Sequence, residues 1–452
     1  MGSGVESRFE RYAEVMVKAL GHADRATPAQ WYLRGLMLPG QRKSVEPMAA
    51  RVHPQDVCSA HQSMHHLVAD SDWSDVALLQ AVTGKVLPVL TQTEPAPYYW
   101  IIDDTGFRKY GRHSVGVARQ YCGHLGKTDN CQVAVSLSFA TAEGSLPLSY
   151  RVYLPREWAE DKARRKRAGV PAQIAFATKG EIAWAHIEAA LESGIPRGIV
   201  LMDAGYGVET QLRERLSTQG LTYAAGVRSN TTVWWGEHQP APTPQQTQGR
   251  PRTRLARDKA HQPISVLELA RALPAQSYRT VRWREGTNAT LTSRFARVRV
   301  RPAHGDQPRA EEWLLIEWPK GEDEPVHYHL CTLPTDIALD DLVATVKMRW
   351  RIERDYLELK QEVGLGHYEG RNWRGFHHHA SLCIAAYGFL MWERLRSCKK
   401  NRARLKAPAI PEEFRPRGAR PDAAPHPVVD CDRALSSRTR HRSRPSTVSM
   451  LR

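Results

Sequence analysis

The spacing of apolar residues changes several times along this chain, and each change predicts a different kind of structure. Over residues 1–95, apolar side chains recur every three or four positions in Phe9–Leu20, Trp31–Leu38, Ala60–Leu67 and Trp73–Leu90. That period is typical of amphipathic helices. The pattern therefore predicts a helical N-terminal domain over residues 1–95.

Residues 96–227 alternate between strand and helix patterns. Runs rich in Val, Ile, Ser and Tyr predict strands, whereas Ile182–Leu191 and Glu209–Leu216 have the spacing of helices. The predicted strands are Tyr98–Asp103, Asn130–Ala140, Leu146–Leu154, Ile199–Asp203 and Leu221–Val227. Three strands, then helix, strand, helix and strand, is the order of an RNase H-like catalytic core of the α/β class.

Residues 228–334 interrupt this order. The stretch Gly236–Pro263 is rich in Pro, Gln, Thr and Arg, which predicts a flexible loop. Short strand patterns follow it, separated by Gly, Pro and Asp, and they predict an inserted β-rich subdomain. These strands are Thr280–Arg284, Ala289–Arg301, Glu312–Trp318 and His327–Leu330.

Residues 335–398 return to helical spacing, and we expect them to complete the core. Ile337–Val363 contains few helix breakers and predicts one long helix, and residues 376–396 predict a second, apolar helix. Over residues 399–452 the periodicity is lost and Pro, Arg and Ser accumulate, which predicts a basic disordered tail.

The composition gives the chain a positive net charge. The chain has 64 Lys and Arg against 48 Asp and Glu, a formal net charge of +16, and residues 399–452 carry more than half of this excess. Such an excess favours a polyanionic partner such as nucleic acid. The seven cysteines include no Cys-x-x-Cys pair, which argues for a reducing compartment and against a zinc knuckle. No apolar run of about twenty residues is present, so we expect a cytoplasmic protein without a membrane span.

Three acidic residues are the strongest candidates for chemistry. Asp103 and Asp203 each follow an apolar strand pattern, and strand ends are where active sites collect in α/β sheets. Glu353 lies between Arg349 and Lys360 on one face of a predicted helix. The alternative explanations are turn-forming aspartates and a surface salt-bridge ladder.

The first position of this acidic set could be Asp103 or its neighbour Asp104. Adjacent residues of a strand point to opposite faces, so only one of them can join the site. The residue that directly follows the apolar run is Asp103, and we expect it to be the member. Three converging carboxylates can hold two divalent ions, and two such ions cut and join phosphodiester bonds.

These residues resemble the motifs of DDE transposases of bacterial insertion sequences, in the branch with a Tyr-Arg-Glu-Lys signature. Arg349, Glu353 and Lys360 match the last three signature residues with both gaps, whereas Val346 stands where the signature has Tyr. Ile102–Gly106 resembles the Asp-x-Thr motif of that family, and Leu201–Tyr206 resembles its Asp-x-Gly-Tyr motif.

The resemblance implies an RNase H-like core interrupted by a β insertion. It implies Asp103, Asp203 and Glu353 as catalytic residues and metal ligands, supported at the phosphate by Arg349 and Lys360. It also implies Mg²⁺ or Mn²⁺ as cofactor, terminal inverted repeats in double-stranded DNA as substrate, strand transfer into a target, and a homodimer that pairs two DNA ends. A member of this family would be associated with the bacterial nucleoid.

Further residues are candidates for contacting DNA. Arg42 and Lys43 lie in a basic turn of the N-terminal domain, and Lys109, Arg112 and Lys127 surround a Gly-rich hairpin beyond Asp103. Trp283 lies between two arginines, an arrangement that suits stacking on an unpaired base. The alternatives are a solvated turn for the hairpin and packing in a β core for Trp283, with four more tryptophans as competitors: Trp234, Trp235, Trp313 and Trp318.

Histidines offer a weaker metal hypothesis. His377, His378 and His379 are consecutive, but successive helix residues point about 100° apart and cannot all face one ion. His61 and His65 have a workable spacing without a third ligand nearby.

Three functions remain open from these residues. The leading one is a DNA transposase that acts by two-metal phosphoryl transfer. A second is a non-catalytic DNA-binding protein derived from a transposase, and the atypical tail is the feature that favours it. A third is a nuclease or resolvase with the same core that cuts DNA without strand transfer.

Overall fold

The structure is a computed structural model that describes residues 3–92, 97–237, 261–285, 290–305 and 308–406. Most of the predicted loop Gly236–Pro263 lies outside these ranges, and so does the predicted tail beyond residue 406. The chain divides into two compact units, Met1–Phe389 and Leu390–Arg452. Within the described ranges, no helix is long and apolar enough to cross a membrane.

Residues 3–90 form helices, as their apolar spacing predicts. The helices are α1 (Ser3–Ala19), α2 (Ala26–Met37), α3 (Val45–Val52), α4 (Val57–Ala69) and α5 (Asp75–Leu90). Side chains of Asp56 and Ser74 cap the first turns of α4 and α5 by accepting backbone N–H groups. Of these five helices, only α3 is absent from the sequence prediction, because it has eight residues and too few turns to show a period.

A mixed sheet follows the helices. Its first strands are β1 (Tyr99–Arg108), β2 (Ala118–Cys122), β3 (Lys127–Ala140), β4 (Ser145–Val152), β5 (Ile199–Met202) and β6 (Tyr223–Val227). β3 runs antiparallel to β1, β2 and β4, whereas β5 is parallel to β1 and β6 is parallel to β5. Parallel pairing needs crossover connections with helices, which explains the alternation of strand and helix patterns here.

Five helices lie between β4 and β6. They are α6 (Arg156–Glu160), α7 (Lys162–Arg167), α8 (Lys179–Glu192), α9 (Ala204–Gly207) and α10 (Thr210–Thr218). α8 begins at a capping box, in which Thr178 and Glu181 each accept the other's backbone N–H. Its apolar residues pack against the sheet, and Ile182, Ala183 and Ile187 are buried.

The second β-rich segment extends the same sheet. It contains β7 (Thr232–Trp234), β8 (Ile264–Ser265), α11 (Val266–Ala272), β9 (Arg279–Glu285), β10 (Thr290–Pro302), β11 (Glu312–Glu317) and β12 (His327–Cys331). β12 pairs antiparallel with β6, so the two sets of strands form one hydrogen-bonded sheet. Alternate residues of β11 and β12, such as Leu314 and Leu330, pack with Leu269 of α11 in a buried apolar cluster.

The last described helices differ from the prediction. Instead of one helix over Ile337–Val363, the chain forms α12 (Leu339–Lys347), α13 (Trp350–Leu357) and a π-helical turn, Glu358–Val363, before α14 (Trp373–Lys406). The prediction of a single long helix is therefore wrong. α12 contacts β9, whereas α13 contacts β1 and β4, and one straight helix could not follow both parts of the sheet.

Two glycines allow α9 to lie directly on β6. A Cβ on Gly207 would collide with the carbonyl oxygen of Gly226, and a Cβ on Gly226 would lie 2.7 Å from the backbone nitrogen of Ala204. Because Asp203 precedes α9, this backbone contact also fixes the height of the Asp203 carboxylate above the sheet.

We expect Gly207→Ala to lower the free energy of unfolding by about 1–3 kcal/mol, because backbone atoms must move to admit the methyl group. Gly84→Ala is the matched control. Gly84 lies in α5 with open space around its Cα, so there the same change should stabilise by about 0.5–1 kcal/mol. Urea denaturation of both variants measures the difference, and equal effects would contradict the close contact.

Candidate active site

Asp103 lies in the middle of β1, not at its end. β1 continues to Arg108, and Asp103 pairs with Ser136 of β3, so the expectation that a strand ends at Asp103 is wrong. The other edge of β1 explains why the site forms here. β5 pairs with β1 only as far as Ile101, and beyond that point this edge is open beside the carboxyl end of β5.

Asp203 follows the last residue of β5 and caps α9. Its Oδ1 accepts hydrogen bonds from the backbone N–H groups of Gly205 at 2.8 Å and Tyr206 at 3.3 Å. This cap holds the carboxylate at the open edge of β1. The charge of Asp203 contributes to raising the pKa of Asp103, which agrees with a short separation between the two.

Arg349 brings the third carboxylate to this edge. Its Nη1 donates to Oδ2 of Asp103 at 2.9 Å, and its Nη2 donates to Oε1 of Glu353 at 3.2 Å. Burial lowers the pKa of Arg349, but Asp103, Asp203 and Glu353 together raise it further, and the net shift is upward. One guanidinium therefore lies among all three acids that the sequence singled out.

Asp104 points away from this cluster. Its Oδ2 accepts a hydrogen bond from Nζ of Lys179 at 2.9 Å and from the hydroxyl of Tyr206 at 3.2 Å. The alternation of side chains along β1 thus sends Asp103 towards Arg349 and Asp104 towards α8.

The protonation of Asp103 is unusual. Burial raises its pKa, Arg349 lowers it, and Asp203 and Asp104 raise it again, which leaves the pKa at about 7. The side chain of Asp103 is 15% exposed, whereas that of Glu353 is 67% exposed. A single arginine thus does not fully compensate the clustered negative charge in its partly desolvated position.

Polar contacts hold α13 and the π-helical turn against the sheet. The hydroxyls of Tyr356 and Ser136 lie 2.7 Å apart, and Nζ of Lys360 donates to the Gly106 carbonyl of β1 at 2.9 Å. Burial lowers the pKa of Lys360 to about 8. Lys360 therefore contacts the backbone of β1 at Gly106, three residues beyond Asp103 and two before Arg108.

Asp355 is a residue of this region that sequence reasoning missed. It is buried, and its Oδ1 accepts hydrogen bonds from the hydroxyls of Ser145 and Tyr387, which ties α13 to β4 and α14. Burial raises its pKa to about 6. Its position two residues after Glu353, among the apolar residues of the helix, is the signal that could have indicated it.

The two predicted DNA contacts of the N-terminal domain differ in exposure. Arg42 is exposed and forms an ion pair with Glu369. Lys43 is buried, and its Nζ donates to the backbone carbonyls of Leu36 and Glu362. The proposed contact between Lys43 and DNA is therefore corrected, because this ammonium is used inside the protein.

The remaining predicted DNA contacts lie in two places. Nζ of Lys109 donates to the Tyr368 carbonyl at 2.9 Å, while the side chains of Arg112 and Lys127 are exposed. Trp283 is half-buried on β9, where Nζ of Lys347 lies 4.7 Å from its ring centre. The acidic cluster and Trp283 are thus on separate strands of the one sheet.

The three consecutive histidines are packing residues. His377 contacts the Trp373 carbonyl, His378 stacks on Trp73, and His379 bonds to the Gly364 carbonyl. Burial lowers the pKa of all three. Across the described ranges, no group of three or more His, Cys, Asp or Glu side chains is arranged to hold a metal ion, and this includes His61 and His65.

The donors of the acidic cluster nevertheless have the right chemistry for Mg²⁺, which prefers carboxylate oxygens. Oxygens of Asp103 and Glu353 both reach the same guanidinium, so they approach each other across one planar group. Metal ligation by these two residues therefore requires Arg349 to leave the space between them.

A carboxylate cluster at the open edge of a mixed sheet is the kind of site that nucleases use. The chain matches the family model described as DDE superfamily endonuclease over residues 15–290, and it belongs to this family. The match confirms the resemblance inferred from the motifs. Asp103 and Asp203 lie inside the matched range, whereas Glu353 lies beyond it.

A curated relative supports the same family. The probable transposase for insertion sequence element IS701 from Microchaete diplosiphon is 34% identical to this chain over 173 residues. The aligned part covers 38% of this chain and 42% of that relative, so the similarity spans less than half of either protein.

The pKa of Asp103 predicts how stability depends on pH. Because the pKa is about 7 in the folded protein and about 3.9 in an unfolded chain, its stabilising contribution is present below pH 4 and is lost as pH rises towards 7. We expect Asp103→Asn to become progressively more stable than the wild-type protein between pH 5 and pH 8, without divalent ions, in urea denaturation. A difference that does not change with pH would contradict the raised pKa.

Proposed function

We propose that this protein is a DDE transposase, which cleaves the ends of an insertion sequence and joins them to target DNA. The observation that carries the proposal is the convergence of Asp103, Asp203 and Glu353 on Arg349. Family membership supports a DNA-cutting enzyme, and the name of the relative from Microchaete diplosiphon supports transposition rather than another use of the same chemistry.

We propose that residues 96–227 and 335–398 form an RNase H-like catalytic core. The order β4, β3, β1, β5 and β6, with β5 and β6 parallel to β1, supports this proposal. In the same proposal residues 228–334 are a β-rich insertion, residues 1–95 bind the DNA end, and residues 399–452 are a basic tail. Helices in the first 90 residues and β7–β12 in the insertion support these divisions.

Asp103, Asp203 and Glu353 would hold the divalent ions in this proposal. When bound, two Mg²⁺ or Mn²⁺ ions activate the attacking oxygen and stabilise the leaving oxygen of the phosphodiester. Asp203 is already oriented by its cap on α9, and Glu353 lies on a helix that Tyr356 and Asp355 tie to the sheet. The chain itself thus orients the donors before any ligand arrives.

Arg349 and Lys360 would act on the substrate phosphate. In the structure, the positive charge of Arg349 balances the negative charge of the carboxylates. Once divalent ions balance that negative charge, the guanidinium can turn to bind phosphate oxygens. Lys360 has its ammonium on the Gly106 carbonyl, on the same strand as Asp103. To bind a phosphate oxygen, the ammonium of Lys360 would have to leave the Gly106 carbonyl. A change of side-chain rotamer would be enough, and the helix would not have to move.

The proposed substrate is double-stranded DNA that carries terminal inverted repeats. Pairing two ends before cleavage requires two active sites, so a homodimer on DNA is part of the proposal. The net charge of +16 supports a polyanionic partner of this kind. Trp283 and Arg42 remain proposed contacts to this DNA.

Cleavage of duplex DNA containing the flanking repeats, with Mg²⁺, tests this function. We expect Asp103→Asn, Asp203→Asn and Glu353→Gln each to lower the cleavage rate by more than about 100-fold, since even residues behind the direct metal ligands are worth 10–100-fold. Asp104→Asn should retain the rate within about tenfold, because Asp104 faces Lys179.

The reaction products distinguish the proposed function from its alternatives. Joined products show strand transfer, and cut ends without joining would show a nuclease or resolvase. Specific DNA binding without any Mg²⁺-dependent cutting would show a non-catalytic DNA-binding protein. Undiminished cleavage by Asp203→Asn or Glu353→Gln would contradict the assigned site.

A further inference from the structure

A concave surface lies beside the C-terminal end of β1. We call it the basic cleft, and its volume is about 510 Å³. The residues of this cleft that carry the inference are Arg108, Lys109, Tyr110, Arg112, Arg119 and Arg164. They come from the end of β1, the loop that follows it, β2, and helix α7, which the sequence prediction missed.

The loop that forms one wall of the basic cleft is held in place by side chains. Nδ2 of Asn130 donates to the carbonyls of Lys109 and Gly111, at 2.6 and 3.0 Å. Nη2 of Arg164 donates to the Arg112 carbonyl at 3.2 Å, and Nε1 of Trp158 donates to the Val117 carbonyl at 2.7 Å. Because the backbone is fixed at several points, the side chains on this loop project from a preformed surface.

The charge of this surface is strongly positive. Five cations line the cleft against two acids, Asp129 and Glu157, which pair with Arg108 and Arg164. Among the residues that the structure describes, Arg112 and Arg119 are exposed and take part in no ion pair. Five of the six residues of α7 are also Lys or Arg, which extends the positive surface.

An exposed aromatic ring accompanies these cations. The side chain of Tyr110 is 90% exposed at the tip of the loop, and the guanidinium of Arg108 lies 5.1 Å from its ring centre. An exposed ring beside arginines suits packing on a nucleotide sugar or base.

The strand sets the distance from the basic cleft to the acidic cluster. Arg108 is five residues beyond Asp103 in the same strand, which corresponds to about 16 Å at the usual rise. Phosphates of one strand of duplex DNA advance by about 3.4 Å per nucleotide along the helix axis, and the strand turns once around that axis in about 10 nucleotides. A duplex that is cleaved at Asp103 and follows β1 would therefore bring backbone phosphates within a few nucleotides of the cleavage position to the basic cleft.

We propose that the basic cleft binds the sugar–phosphate backbone of duplex DNA within a few nucleotides of the scissile phosphate. This inference rests on the proposed function for the identity of the substrate. Arg112 and Arg119 contact phosphate oxygens, and Tyr110 packs on the adjacent sugar or base. The contact is independent of base sequence, since backbone phosphates carry no sequence information.

Binding of the full chain to a mixed-sequence DNA duplex of about three helical turns tests this site, with fluorescence anisotropy over a range of salt concentrations. We expect the double variant Arg112→Ala, Arg119→Ala to bind at least about tenfold more weakly than the wild-type protein at low salt. The plot of log affinity against log salt concentration has a negative slope, and its magnitude should decrease by about 1.8 because two phosphate contacts are lost.

Two controls accompany this measurement. Arg197→Ala removes an exposed arginine that precedes β5, at the opposite end of the parallel strands, and should leave affinity and slope unchanged. Arg112→Lys with Arg119→Lys keeps both charges and should retain the wild-type slope. Thermal unfolding of each variant shows whether it is folded, which we expect because these side chains lie on the surface.

The outcomes separate this inference from the proposed function. Wild-type affinity and slope in the folded double alanine variant would overturn the basic cleft, whether or not the protein cuts DNA. Binding that depends on the cleft, in a protein that never cuts DNA, would support the cleft and contradict the transposase. No binding of the wild-type protein to duplex DNA would overturn both.

Discussion

The balance between one half-buried guanidinium and three carboxylates is the constraint on which the site depends. Asp103, Asp203 and Glu353 come from a strand, a cap and a helix that are far apart in sequence, and Arg349 interacts with all three. Without a cation among them the acids would repel each other in a partly desolvated space. Arg349 therefore allows the protein to fold with these three carboxylates already gathered.

The strands and helices around the three carboxylates hold them in position. The short parallel ladder between β1 and β5 leaves an open edge where Asp103 and Asp203 can face each other. Two glycines let α9 lie on β6, which sets the position of the Asp203 cap. Tyr356 and Asp355 tie α13 to the antiparallel part of the sheet, so that Glu353 reaches the edge from the other side.

Local patterns predicted most elements, and long-range contacts explain the failures. The Arg349–Glu353 pair spans four residues and could be predicted from helical spacing, whereas the Arg349–Asp103 pair spans 246 residues and needs the fold. The prediction ended β1 at its first charged residue, but pairing with β3 extends the strand to Arg108. Lys43 looked like a surface residue in a basic turn, and only the distant Glu362 carbonyl explains its burial.

The pairing of β12 with β6 has a mechanical consequence. Hydrogen bonds join the strands from β9 to β6 without interruption in their order, and β6 lies directly under the Asp203 turn. Neighbouring strands of one sheet cannot pivot freely against each other without breaking the hydrogen bonds between them. A displacement of the β9 edge would therefore reach the Asp203 turn through β10, β11, β12 and β6.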